Sequence, residues 1–176
     1  MEIYLSLGSN LGDREQNIIK ALELLDEGLG VHYTALSGFL ETEPWGFDSD
    51  ELFLNCAVRY DINGVSGMDL LAVCKRTELL MGRSVHCPEY DGSGKRIYRS
   101  RIMDVDILFY GEHRIDADNL KVPHPLMAYR DFVMIPLAEI ASEEIKAAFP
   151  DIWAMYAESV SSAYARTSHD CRGNLK

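Results

Sequence analysis

No stretch of this chain stays apolar for the roughly 18 residues that a membrane-spanning helix requires. The N-terminus, Met1-Glu2-Ile3-Tyr4, lacks the basic run that opens a secretory signal. The expected location is the cytoplasm, with no membrane partner. Cysteine is sparse: four residues, at 56, 74, 87 and 171, with no CxxC pair, so a structural zinc site is not expected. Cys56 and Cys74 fall in apolar-periodic segments and are expected as buried free thiols. Basic residues are in deficit, 17 Lys and Arg against 28 Asp and Glu, for a net charge of −11. Nucleic-acid surfaces are dominated by basic side chains, so no nucleic-acid partner is expected. No GxSxG elbow supports Ser-His-Asp chemistry. A P-loop is missing too: Gly8-Ser9-Asn10-Leu11-Gly12 has glycines but no Lys-Ser/Thr, and reads as a strand-to-helix turn.

What is present is a globular composition, 47% apolar and 26% charged over 176 residues. The length suits one domain, so residues 1–176 are expected to form a single domain with a frayed tail at 165–176. Residues 2–7 alternate as a strand. Asp13, with Gln16 three residues on, caps a helix that carries Ile18, Ala21, Leu22 and Leu25 on one stripe and stops at Gly28 and Gly30. A second strand is expected over 31–41 and a third over 53–62, FLNCAVRYDI. Ser66 and Asp69 open a second helix that Gly82 ends. Residues 84–97, with Pro88 and Gly92-Ser93-Gly94, form a long loop of the kind that often serves as a lid. A fourth strand follows over 98–110, then an apolar stretch FVMIPLAEI, and a helix from about Asp151 to Tyr164. The order β-α-β-β-α-β predicts an α+β, ferredoxin-like sheet with helices on one face and a C-terminal helical extension.

Charge is unevenly distributed. Lys75 to Arg101 holds seven bases and three acids, +4 in a chain whose remainder is −15. A basic island in an acidic chain suits either an anionic small molecule or a solvated face. Just beyond it lies Met103-Asp104-Val105-Asp106-Ile107-Leu108-Phe109. On a strand, Met103, Val105, Ile107 and Phe109 point one way, and Asp104 and Asp106 the other, about 6.6–6.8 Å apart. Two acids on an exposed sheet face are unremarkable. Beside Arg101 and the basic island they also suit Mg²⁺, which takes one or two carboxylates together with substrate phosphates, while arginines contact phosphate oxygens bidentately. Phosphoryl transfer asks for little more than metal, positive charge and alignment. His124, stiffened between Pro123 and Pro125, either contacts phosphate or caps a turn.

Six segments in this order carry a resemblance: LSLGSNLGDREQNI, TEPWGF, FLNCAV, ELLMGR, RSRIMDVDILFYG and VPHPLMAYRDFV. Over roughly residues 3–140 the chain resembles the 6-hydroxymethyl-7,8-dihydropterin pyrophosphokinases of folate biosynthesis. The resemblance implies transfer of pyrophosphate from ATP to the pterin hydroxymethyl group with release of AMP, in a monomer or weak homodimer. It implies two Mg²⁺ ions on Asp104 and Asp106, with Arg83 and Arg101 on the phosphates. It implies Glu78, Tyr98, Ile107, Lys121, His124 and Arg130 around ATP. It also implies Asn55 reading the pterin edge near Thr42 and Trp45, with Phe53 and Phe132 sandwiching the ring. By composition alone those two phenylalanines would be core. A non-enzymatic nucleotide- or pterin-binding module and a metal-dependent phosphohydrolase are the alternatives. The chain departs from the usual pattern at Ile97-Tyr98-Arg99-Ser100-Arg101, where R-W-G-P-R is customary, in a longer loop after Arg83, and at Pro125, often aromatic.

Overall fold

The computed structural model describes residues 1–45, 51–83, 92 and 100–170, without the side chains of 162–170. The alternating residues after Met1 form β1 (Glu2–Ser9), which becomes the centre of the sheet. Helix α1 (Arg14–Leu29) starts as expected, with the Asp13 carboxylate accepting from the Gln16 N–H at 3.1 Å. It ends at Gly30, whose left-handed φ of 71° lets its N–H reach the Asp26 carbonyl. Gly28 does not stop the helix. It lies inside, where a Cβ would come within 2.8 Å of Val73 Cγ1, so its bareness permits close helix packing.

The expected strand at 31–41 is two short strands, β2 (Ala35–Leu36) and β3 (Leu40–Thr42), both paired to β4 (Phe53–Asp61). Ser37 causes the break. Its hydroxyl accepts from the Ala57 N–H and donates to the Gly38 carbonyl, so a side chain takes over a ladder position. Helix α2 (Gly67–Leu80) is capped by the Ser66 hydroxyl. The strand expected from 98 begins later, as β5 (Asp104–Tyr110). Residues 84–91 and 93–99, with most of the expected lid and Tyr98, lie outside the described residues. A small ribbon, β6 (Ile115–Asp116) with β7 (Lys121–Val122), follows. Then come a 3-10 turn (Met127–Tyr129), α3 (Asp131–Ile140), α4 (Glu143–Ala148) and α5 (Pro150–Asp170). FVMIPLAEI is thus helical, with Pro136 inside it. The expected C-terminal helix lies within α5. The described helices include none long and apolar enough to cross a membrane.

The sheet order is β2-β4-β1-β5, with β3 also on β4, and every pairing is antiparallel. β4 and β5 flank β1 and run parallel to each other through α2, the split-βαβ plan. One face buries Ile3, Leu5, Leu7, Cys56, Val58, Val105 and Ile107 beneath α1 and α2, with Cys56 and Cys74 as free thiols. The C-terminal extension closes part of the other face: Val133, Met134 and Leu137 of α3, with Ile145 and Phe149, cover Tyr4, Ala57, Leu108 and Phe109. Strict alternation would put Phe109 with Ile107. Instead Tyr4 pairs with Phe109 and Leu5 with Ile107, so Leu108 is an extra, bulged residue. Beyond the bulge Phe109 changes face, packing edge-on to Tyr4 and stacking on Phe149.

Candidate active site

The strand register gathers the chemistry at one end of the sheet. Gly8 of β1 pairs with Asn55 on one side and with Asp104 on the other, and Ser6 pairs with Asp106. The carboxamide on β4 and the acids on β5 therefore flank a strand whose side chains there are small. A Cβ on Gly8 would meet Asn55 Oδ1 at 3.0 Å, so any larger residue would push the carboxamide from its place.

Three adjoining cavities open here. The first is lined by Ser6, Gly8, Thr42, Glu43, Trp45, Phe53, Asn55, Arg101, Asp104, Asp106, Arg130 and Phe132. The second shares Arg101, Asp104, Asp106 and Arg130 with it and adds Lys75, Arg83, His124, Pro125 and Leu126. The third runs on past Lys75, Asp106 and His124 to Leu71, Val105, Ile107, Asp118, Asn119, Leu120 and Lys121. Asp106 belongs to all three.

The five expected pterin residues line the first cavity. Asn55 is nearly buried and its amide donates to the Thr42 hydroxyl at 2.9 Å, which fixes its orientation. Phe53 and Phe132 line this cavity rather than sinking wholly into the core. The Arg130 guanidinium stacks 4.5 Å from the Trp45 ring centroid and 5.7 Å from that of Phe132. Arg130 is 7% exposed, and its buried Nε has no hydrogen-bond partner among the described residues.

Arg83, Arg101, Asp104, Asp106, His124 and Arg130, the residues expected on phosphate and metal, come together along the second cavity. Ile107, Lys121 and His124 line the third. Glu78 lines none of them. It lies 2% exposed beneath the floor, where it pairs with Arg83, takes Lys75 at 2.9 Å and accepts the Val105 N–H at 3.0 Å. It thereby ties α2 to the start of β5. Sequence reasoning missed Lys75 as a site residue. Its signal was the i,i+3 spacing to Glu78 at the head of the basic island.

The two acids differ. Asp104 accepts from Arg83 and from Arg101, each at 2.7 Å. Burial by itself would raise the Asp104 carboxyl, but Arg101 and Arg83 hold it below the usual carboxylate range. Asp106 has no ion pair within salt-bridge distance among the described residues. Burial and then the charge of Asp104 push its carboxyl up, only partly relieved by His124, Arg130 and Lys75. Of the two alternatives for His124, the turn cap is seen. Its Nδ1 accepts from the Leu126 N–H at 3.3 Å, which caps the turn, and the residue lines the second and third cavities. Burial pushes its pKa down. A neutral ring whose Nδ1 accepts carries its proton on Nε2, a donor suited to phosphate.

Residues 4–142 match the model of a protein family, 7,8-dihydro-6-hydroxymethylpterin-pyrophosphokinase. This chain belongs to that family. It is 40% identical over 140 residues to the 2-amino-4-hydroxy-6-hydroxymethyldihydropteridine pyrophosphokinase of Porphyromonas gingivalis, covering 79% of this chain and 90% of that one. The Bacillus subtilis pyrophosphokinase is 35% identical over 145 residues, 82% of this chain and 81% of the other. The mitochondrial folate synthesis bifunctional protein of Pisum sativum is 40% identical over 144 residues, but this chain spans only 26% of its length. A crystal structure of HPPK-DHPS in complex with substrates superposes with a TM-score of 0.60 at 13% identity, over 92% of this chain and 43% of that one, a likeness of fold. The pyrophosphokinase transfers pyrophosphate from ATP to the hydroxymethyl group of 6-hydroxymethyl-7,8-dihydropterin in folate biosynthesis, and it uses Mg²⁺. The donor set fits that ion. Among the described residues no cluster of three or more acids, histidines or cysteines could hold a metal unaided. Two carboxylates on one strand suit Mg²⁺ completed by substrate phosphates and water.

Proposed function

We propose that the three cavities divide the two substrates of the pyrophosphokinase between them. The pterin lies in the first, between Phe53 and Phe132, with Asn55 and Thr42 on its pyrimidine edge and Trp45 at the rim. A carboxamide suits that edge because it both donates and accepts. The adenosine lies in the third, against Ile107, with Lys121 beside it. The phosphates occupy the second, between Arg83, Arg101, His124 and Arg130. Asp104 and Asp106 hold two Mg²⁺ ions jointly with the phosphates. When bound, the ions neutralise phosphate charge and align the transferred group with the pterin hydroxyl. Arg101 and Arg130, which line both the pterin and the phosphate cavities, carry positive charge to the point where the groups meet. The unpartnered Nε of Arg130 supports a ligand contact there. Glu78 acts from beneath, holding Arg83 rather than touching nucleotide. Tyr98 is assigned to the ATP side by the resemblance, as the position where tryptophan is customary. The whole chain serves as one cytoplasmic domain, as a monomer or weak homodimer.

The observation that carries this reading is the continuity of the cleft across Asp106, which joins all three cavities. Incubation with ATP, Mg²⁺ and 6-hydroxymethyl-dihydropterin should release AMP only when pterin is present. Asp104→Ala and Asp106→Ala should each abolish that release while remaining folded. Pterin-independent ATP consumption would instead mark a phosphohydrolase, and full turnover in either variant would remove the acids from the metal site.

A further inference from the structure

The turn Gly8-Ser9-Asn10-Leu11-Gly12 has a purpose that its lack of P-loop residues leaves open. Asn10 is fully buried and lines none of the three cavities. Its side chain and backbone turn instead toward the chain that enters β5. The Asn10 Oδ1 accepts the Arg101 N–H at 2.7 Å, and the Asn10 N–H donates to the Arg101 carbonyl at 3.2 Å. The Asn10 Nδ2 donates to Ser100 Oγ at 2.9 Å and reaches the Glu51 carbonyl at 3.5 Å. The turn is itself braced: Asn17 Nδ2 donates to the Leu11 carbonyl at 2.8 Å and to Ser9 Oγ at 3.1 Å. Arg101 is thus gripped at both backbone polar atoms while its guanidinium reaches Asp104. Residues 100–103 are not in a strand, so no sheet ladder fixes Arg101. A long side chain on an unladdered segment keeps a defined position only if its backbone is anchored by other means. Ser100 supplies a hydrogen-bonding hydroxyl that ties this segment to Asn10.

We infer that Asn10 and Ser100 are positioning residues that clamp the Arg101 backbone and thereby hold its guanidinium at the junction of the pterin and phosphate cavities. The inference rests on the reading of Arg101 as a phosphate contact. It assigns the glycine-containing turn to the reaction through Arg101, with no phosphate contact of its own.

The test is single-turnover AMP formation in Asn10→Ala, Asn10→Asp, Ser100→Ala, Arg101→Ala and the Asn10→Ala/Arg101→Ala double variant, with a thermal melt of each. Asn10→Ala should slow the chemical step by roughly 100-fold, the order of cost for misplacing a reacting group by about 1 Å. Substrate dissociation constants should change by less than about threefold, because the clamp acts on chemistry rather than on uniform binding. Asn10→Asp keeps an acceptor for the Arg101 N–H and can accept from the Ser100 hydroxyl, so it should recover most of the rate. Ser100→Ala, which keeps the two backbone bonds, should lose roughly tenfold, the cost of about one hydrogen bond. The double variant should be no slower than Arg101→Ala, since both changes remove one function. An Arg101→Ala enzyme crippled beside Asn10→Ala and Ser100→Ala enzymes of wild-type rate would overturn the clamp alone. Additive losses in the double variant would overturn it too, by showing that Asn10 acts elsewhere. Wild-type turnover in Arg101→Ala would overturn the underlying reading of Arg101. If Asn10→Ala does not fold, the Ser100→Ala rate and its non-additivity with Arg101→Ala decide.

Discussion

Replacing each of the paired acids by asparagine should shift the stability of the metal-free enzyme in opposite directions. Asp104 accepts two charged hydrogen bonds at 2.7 Å, from Arg83 and Arg101, and its side chain is 26% exposed. Bonds to charged groups contribute about 1.5–3 kcal/mol each. Asparagine keeps one oxygen and the shape but loses the charge, and the partial exposure discounts the remainder. Asp104→Asn should therefore cost about 2 kcal/mol, a fall in Tm of roughly 4–8 °C for a chain of this size. Asp106 has no such partner and sits two residues along the same strand face. Like charges about 6.7 Å apart repel by about 2.5 kcal/mol at an effective dielectric constant near 20. The Arg130 and Lys75 charges offset part of this. Asp106→Asn should then stabilise the metal-free protein by about 1 kcal/mol, a rise in Tm of roughly 2–4 °C. Scanning calorimetry in chelator measures both. Addition of Mg²⁺ with a non-hydrolysable ATP analogue should raise the Tm of wild type and leave that of Asp106→Asn nearly unmoved. Equal destabilisation by the two substitutions would refute the picture of one neutralised and one unneutralised acid.

Three further outcomes follow from the same geometry. Phe132→Ala should weaken pterin binding by at least roughly 2- to 10-fold, since a stacked ring contributes about 0.5–1.5 kcal/mol beyond burial. Titration calorimetry with the pterin checks this, and unchanged affinity would return Phe132 to the core. Gly8→Ala puts a methyl group 3.0 Å from Asn55 Oδ1, so pterin affinity should fall by about 1–3 kcal/mol while nucleotide affinity changes far less. Acidification should separate two effects. The Asp104 carboxyl is held below its unfolded value, so its stabilisation is present above that value and lost as pH falls through the folded one. The Asp106 carboxyl is raised, so its contribution is full below the unfolded value and lost as pH rises through the folded one, and protons compete with Mg²⁺ at a higher pH than for an ordinary carboxylate. Mg²⁺-dependent nucleotide binding should fade before the fold does, which parallel binding and unfolding titrations across acid pH would reveal.

The parts of the molecule set by local chemistry were legible in the sequence. The Asp13 and Ser66 caps, the alternation of β1 and β4 and the acid pair on β5 each follow from side chains a few residues apart. What was hidden depends on partners distant in the chain. Nothing near Ser37 announces that its hydroxyl will meet the Ala57 N–H and split a strand in two. The period of two puts Phe109 beside Ile107, and only the pairing with β1 shows that Leu108 is extra. Gly28 reads as a helix stop until Val73 is seen packed against it. Glu78 was placed near the nucleotide by the family resemblance. Burial turns it instead into the post to which Lys75, Arg83 and the Val105 amide are tied. Asn10 looked like part of a turn, and the segment it holds lies 90 residues away.

β1 lines the first cavity with only Ser6 and Gly8, between Asn55 on one neighbour and the two aspartates on the other. A compound lying there meets bare main chain at Gly8, whose backbone atoms are the same whatever residue is encoded. Escape from an inhibitor that exploits this contact must come from the surrounding walls, or from added bulk at position 8 that crowds the Asn55 carboxamide proposed to read the pterin. Resistance and loss of fitness are thereby linked by geometry.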